Sequence, residues 1–203
     1  MNKEEIINYF NLNRSQTDNI EAFLSNIVKY NKHTNLVGRS TIKSMWHRHI
    51  LDCLQLTKHI NSKSCKILDM GTGPGLPGLL FSIIGYHNVL MIESTKKKAD
   101  FVKSIINELS LYAKIENKRI EKTTTSKNDI IVSRALAPLK KLLSYTRMHS
   151  NKNTTSLFLK GRNVNVEIKN AMETFLFDFK IIKSISGGDG HVLQIKNLKT
   201  KND

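Results

Sequence analysis

Cysteine, proline and tryptophan are all scarce in this 203-residue chain, with two, three and one of each. The two cysteines, Cys53 and Cys65, cannot build a disulfide framework and lack metal-site spacing. That excludes the small stapled secreted class; both are expected as buried small side chains in a reducing compartment. No run of about 18 apolar residues occurs, so no membrane span is expected. The opening Met-Asn-Lys-Glu-Glu lacks the basic-then-apolar layout of a secretory signal, and a cytoplasmic location is the expectation. Acidic residues are few as well, 17 against 32 basic ones, leaving a net charge of +15. Such an excess attracts polyanions and can supply much of the affinity for nucleic acid. Lysine outnumbers arginine 25 to 7, and Asn (20) and Ile (22) are abundant, so A·T-rich coding accounts for part of the excess as solvated surface. Nucleic acid remains the favoured partner.

Glycine is thin too, which makes its placement informative: four of ten fall between 71 and 78. In Lys66-Ile-Leu-Asp-Met-Gly-Thr-Gly-Pro-Gly-Leu-Pro-Gly78 an apolar strand ends at Asp69. Gly71, Gly73 and Gly75 follow at alternate positions, and a helix then opens at Pro77. Glycines at this density let the backbone turn sharply and approach a ligand with no Cβ in the way. The following helix offers free N–H groups to a negative group. A dinucleotide loop counted from Gly71 needs its third glycine at position 76, where Leu76 stands. Asp-x-Gly-x-Gly-x-Gly fits all four residues, and it is the pattern of S-adenosylmethionine-dependent methyltransferases.

Residues 1–60 read as helical. Ile20, Phe23, Leu24, Ile27 and Val28 form one apolar stripe, with Thr17 or Ser15 as the expected cap. A second helical stretch runs from about 41 to 60, after a polar connection at 31–38. From Lys66 onward, short apolar runs alternate with amphipathic segments. Strands are predicted near 66–70, 88–93, 114–120, 129–133, 155–160, 179–185 and 191–196, and helices near 77–85, 95–110, 137–148 and 163–177. This predicts a doubly wound α/β fold with a mostly parallel seven-stranded sheet, residues 61–203, preceded by the helical segment 1–60 packed on it. The ligand crevice belongs at the carboxyl ends of the strands. The last two strands, joined through Ser186-Gly187-Gly188-Asp189-Gly190, read as a hairpin, so one late strand is antiparallel.

Glu93 ends the second strand 22 residues after Gly71, where an acid accepts ribose hydroxyls in such a crevice. Capping the next helix is its bland alternative. Arg119-Ile120-Glu121 could meet an adenine edge through a main-chain amide and an acid. The fourth strand ends at Ser133-Arg134-Ala135. It carries no Asn/Asp-Pro-Pro-aromatic motif for exocyclic amines, no Pro-Cys for attack on pyrimidine carbon-5, and no Asp to pair with Lys160 for ribose methylation. What remains is a substrate atom that is already nucleophilic, and guanine N7 is one. On that reading Arg134 is a positioning residue for the cofactor carboxylate, a phosphate or the guanine O6, and no general base is needed.

Taken together, Lys29-Tyr30-Asn31 through Asn35-Leu36, His49-Ile50-Leu51-Asp52, Asp69 through Gly78, Lys97-Lys98 with Phe101, Ser133-Arg134-Ala135 and Leu159-Lys160-Gly161 closely resemble the bacterial 16S ribosomal RNA methyltransferase G family, also called glucose-inhibited division protein B. The resemblance implies N7 methylation of one guanosine in 16S ribosomal RNA or the small subunit, with S-adenosylmethionine as donor. It also implies that Gly71, Leu76, Ile120, Glu121 and Arg134 contact that cofactor. Glu93 stands where the family more often has Asp, and the longer side chain still reaches a ribose. A non-catalytic RNA-binding or assembly protein retaining the fold, a nicotinamide oxidoreductase and a methyltransferase acting on a small molecule or protein are the rival readings.

Other features carry weaker signals. His47 and His49 lie about 200° apart on a helix and cannot grip one ion, so no metal is expected. His49 and Asp52, at i and i+3, read as a packed or hydrogen-bonded pair. Lys160 and Arg162, at the end of the fifth strand, and Lys97 are expected at the RNA backbone. Tyr30 and Trp46 read as core, and the chain as a monomer.

Overall fold

The computed structural model describes residues 1–202 and builds the second half of the chain as alternating strands and helices. The strands are β1 (Ile67–Met70), β2 (Val89–Ile92), β3 (Ala113–Glu116), β4 (Ile130–Arg134), β5 (Thr155–Lys160), β6 (Phe175–Lys183) and β7 (His191–Thr200). They form one sheet in the order β3-β2-β1-β4-β5-β7-β6. β1 to β5 are parallel, and β7 runs antiparallel between β5 and β6. Ile67 lies opposite Val89 on one side and Ile130 on the other. The chain leaves β1 in one direction through β2 and β3 and then returns to β4 on its other side. A crevice opens at such a reversal, above the carboxyl ends of β1 and β4.

Both faces of the sheet are covered, and so β1 is buried along its whole length. On one face Ile67, Met91, Val132 and Leu157 pack with α4 (Gly78–Ile83) and α5 (Lys96–Glu108). The N-terminal helices α1 (Lys3–Tyr9) and α2 (Arg14–Tyr30) join this same core through Ile6, Ile20, Phe23 and Ile27. On the other face Leu68, Ile92, Ile131 and Phe158 meet α6 (Leu139–His149) and α7 (Val164–Met172).

Several elements differ from expectation. α2 is capped by Asn13 in a reciprocal box with Gln16, and the Thr17 hydroxyl bonds back to the Asn13 carbonyl. Residues 39–59 do not form one helix. They run through a 3₁₀ stretch (Arg39–Ser44), a π-turn (Trp46–Leu51), the short α3 (Asp52–Leu54) and another 3₁₀ stretch (Gln55–His59). β3 ends at Glu116, and Ile120–Lys122 form a separate single turn. α7 stops at Met172 because Phe175 and Phe177 are buried while Leu176 and Asp178 are exposed, a two-residue period that belongs to β6. Tyr30 is exposed and lies against Phe101, with ring centroids 4.9 Å apart. Trp46 is half-buried, its indole N–H donating to Glu21 at 2.9 Å. Tyr30 is therefore not a core residue, whereas Trp46 packs against the edge of the core. Cys53 is fully buried, whereas Cys65 is only partly so.

Candidate active site

A cavity of about 810 Å³ occupies the crevice above β1, β2 and β4. Its floor is the loop between β1 and α4, held from beneath by Asp69. The buried Asp69 Oδ2 accepts from the Thr72 hydroxyl and, at 2.8 Å, from the Gly78 amide, which pins the loop to the start of α4. Burial raises this carboxyl to about 6 against the pull of those bonds and of Arg134. Asp69 Oδ1 is buried with no hydrogen-bond partner among the described residues.

The glycines of the loop serve different ends. Gly73 lines the cavity with φ +60°, and a Cβ built there meets nothing within 4 Å. Here the missing side chain clears space for a ligand. A Cβ on Gly71 would come within 2.5 Å of Leu136 Cδ1, so that glycine admits a neighbouring wall residue of the cavity. Gly75 is buried against Leu79 of α4 and does not line the cavity. The structure gives it a packing role in addition to the cofactor contact expected of it.

Glu93, at the end of β2, is buried beside Gly73. Its carboxylate accepts from the amides of Gly73 (3.0 Å) and Thr95 (2.7 Å), so it ties the glycine loop to the residue before α5 while lining the cavity. A carboxylate offers about four lone-pair sites, so two hydroxyls can still be accepted. Leu76 and Ile120 line the same space. Glu121 does too, held by the Tyr145 hydroxyl at 2.7 Å, and that bond lowers its carboxyl from the usual range. Tyr145 gave no local signal, because only α6 packing brings it across from Glu121.

At the end of β4, the Ser133 hydroxyl donates to the Met70 carbonyl and ties the two switch-point strands together. Ala135 then takes φ +57°, an uncommon conformation for a residue with a Cβ, and turns the chain over the crevice. Arg134 between them is half-buried and faces His49 and Asp52 of the N-terminal segment. The side chains of His49 and Asp52 thus meet through Arg134, while the Asp52 amide donates to the His49 carbonyl. The exposed Arg162 borders the cavity, 3.9 Å from Asp189. Lys160 departs from expectation: its ammonium is 2.7 Å from Glu167, bonds the Ala137 carbonyl, and its side chain is only 8% exposed. Glu167 also accepts from the Leu139 amide, so this ion pair joins β5, α6 and α7, and Lys160 reaches the cavity wall already paired. Lys97 is exposed outside the cavity wall, which the neighbouring Lys98 lines instead.

Gly73 and Glu93 together fit a nucleoside with vicinal hydroxyls, and the cavity is large enough to hold a second base. A family model described as rRNA small subunit methyltransferase G matches residues 16–194. The chain belongs to that family. A protein of Cereibacter sphaeroides named ribosomal RNA small subunit methyltransferase G is 32% identical over 98% of both chains. Proteins of the same name from Orientia tsutsugamushi and Rickettsia prowazekii are 36% and 37% identical, covering 94% and 89% of this chain and 94% of each relative. Among solved structures, a ribosomal protein L11 methylase from Lactobacillus delbrueckii aligns with a TM-score of 0.60 at 19% identity, over 72% of this chain and 76% of that one. A mutant of MtNAS in complex with S-adenosylmethionine aligns with a TM-score of 0.62 at 11% identity, over 97% and 84%. These neighbours share the fold, that of the class I S-adenosylmethionine-dependent methyltransferases.

Proposed function

We propose that this family member methylates N7 of one guanosine in 16S ribosomal RNA, by direct displacement and without a general base. The observation that carries the reading is the open Cβ position of Gly73 beside the Glu93 carboxylate, at the switch point of a chain that matches the family over residues 16–194. S-adenosylmethionine bound there would supply an electrophilic methyl carbon on a sulfonium, to which the N7 lone pair would bond as sulfur kept the C–S pair.

The protein's own residues bind and orient. Glu93 receives the ribose hydroxyls, Gly73 gives the nucleoside room, Ile120 and Glu121 meet the adenine, and Leu76 closes the apolar side. Arg134 fixes a carboxylate at the end of β4. Guanine N7 carries no proton at neutral pH, so alignment and exclusion of water are the main requirements. The cavity's histidine is consistent with this, since both nitrogens of His49 are already engaged. Arg162, Lys98 and the more distant Lys97 supply phosphate contacts at the mouth.

The test uses purified protein, S-adenosylmethionine labelled in the methyl group, and small subunits from a strain lacking this activity. One methyl per subunit, mapped by mass spectrometry to a guanosine N7, is expected. Zero transfer, or label on another atom, overturns the reading.

A further inference from the structure

The His49 and Asp52 pair has no place in the chemistry above, yet it makes the most direct contacts with Arg134. The hydrogen-bond directions around it are fixed by the chain. The Thr41 hydroxyl donates to the Gly38 carbonyl at 2.7 Å. Its proton is thus committed, and its 2.8 Å contact with His49 Nε2 has the imidazole as donor. With the proton on Nε2, Nδ1 presents a lone pair, and it lies 2.9 Å from Arg134 Nη1, which can only donate.

We propose that His49 is a positioning residue: a directed relay from the Gly38 carbonyl through Thr41 and His49 holds the Arg134 guanidinium at the cavity wall. The inference rests on the reading of Arg134 as a cofactor contact. Three further observations support it. His49 is buried, and burial together with Arg134 and Arg48 lowers its pKa to about 4, so the imidazole stays a neutral acceptor at working pH. Asp52 places a carboxylate oxygen 4.0 Å from the same guanidinium nitrogen. Its other oxygen is anchored by Gln55 at 3.1 Å and Ser186 at 3.0 Å, so its position is also set by the fold. The N-terminal segment therefore contributes to the site across 85 residues of separation, and is more than a cover for the sheet.

Calorimetric titration of the full-length protein with S-adenosylmethionine tests this without relying on turnover. His49→Leu keeps the volume but removes the acceptor; His49→Asn places an amide oxygen where Nδ1 lies. A hydrogen bond to a charged group governs roughly tenfold or more in affinity. His49→Leu is therefore expected to weaken binding at least tenfold and His49→Asn to stay within threefold of wild type. Thr41→Val, which frees the imidazole, is expected to cost about threefold and decides the matter if His49→Leu does not fold. Wild-type affinity in His49→Leu or in that Thr41→Val stand-in, or equal losses in His49→Leu and His49→Asn, overturns the relay while a weakened Arg134→Ala preserves the cofactor reading. Wild-type affinity in Arg134→Ala overturns both.

Discussion

Gly73 and Gly75 sit two positions apart in one loop with positive φ at both, yet alanine should affect them differently. At Gly73 the added methyl enters open cavity, so the fold bears only the left-handed strain, about 1 kcal/mol. The same methyl stands where the nucleoside would lie, and S-adenosylmethionine affinity should fall at least tenfold. At Gly75 the methyl meets the fully buried Leu79, adding overpacking to strain, together about 2–4 kcal/mol. Thermal denaturation should rank Gly75→Ala well below Gly73→Ala; the opposite order would assign the wrong role to each. A second residue-scale effect concerns pH. His49 titrates near 4 in the fold against 6.5 in the unfolded chain, so between those values the unfolded state binds more protons. Its contribution is complete above pH 6.5 and is lost as pH falls through 4. Asp69 is raised to about 6, so its effect runs the other way: stability is present below 3.8 and declines as pH rises through 6. The histidine part is separable by difference. Relative to wild type, His49→Asn should gain about 3 kcal/mol in urea-unfolding free energy between pH 7 and pH 4, and a constant difference would refute the buried neutral imidazole.

The connection after α2 shows how one side chain can define an element with almost no regular structure. Asn31 is buried at the helix end, accepts from the amides of Leu36 (2.8 Å) and Val37 (3.0 Å), and donates to the Val37 carbonyl. Leu36 in turn lines the cavity. Asn31→Ala strips the Val37 amide and carbonyl of their partner and leaves the Leu36 amide only the Thr34 carbonyl, and the loss should be about 3 kcal/mol by urea titration. Binding should weaken with it, as Leu36 is released. This polar stretch was legible only as a break between helices, since the bonds it makes are invisible to apolar periodicity. The parallel strands β1, β2, β4 and β5 were easier to read, because burial gives each a short apolar run bounded by turns, which the half-exposed β3 lacks. Residues 41–60 misled because a π-turn and two 3₁₀ stretches bury much the same apolar positions as one helix. Within the site, the glycine loop and Glu93 are local signals, whereas the partners of Arg134 are 82 to 85 residues away in sequence and are joined to it only by packing. Lys160 shows the same limit: sequence places a cation at a strand end but does not reveal its pairing with Glu167.

At the scale of the molecule, the chain carries a net charge of +15 and its cavity opens at the carboxyl edge of the sheet. Arg48, Lys98, Lys141 and Arg162 are distributed around the cavity mouth. Arg162 is the informative one, because its pairing with Asp189 is loose at 3.9 Å and both side chains are largely exposed. Such a pair contributes little to stability, so the guanidinium can exchange the carboxylate for a phosphate at small cost. Each phosphate neutralised releases counterions, and the logarithm of affinity then falls with the logarithm of salt by about 0.7 to 0.9 per contact. Binding of a small-subunit ribosomal RNA fragment should therefore weaken steeply between 50 and 200 mM salt, on the order of a thousandfold if about six phosphates are held. Arg162→Ala should make that slope shallower by about one contact without changing the affinity for S-adenosylmethionine. Lys160→Ala should leave the slope unchanged and lower the melting temperature instead, since its ammonium is bound within the fold. A slope that responds to Lys160 and not to Arg162 would reverse this assignment of the two cations.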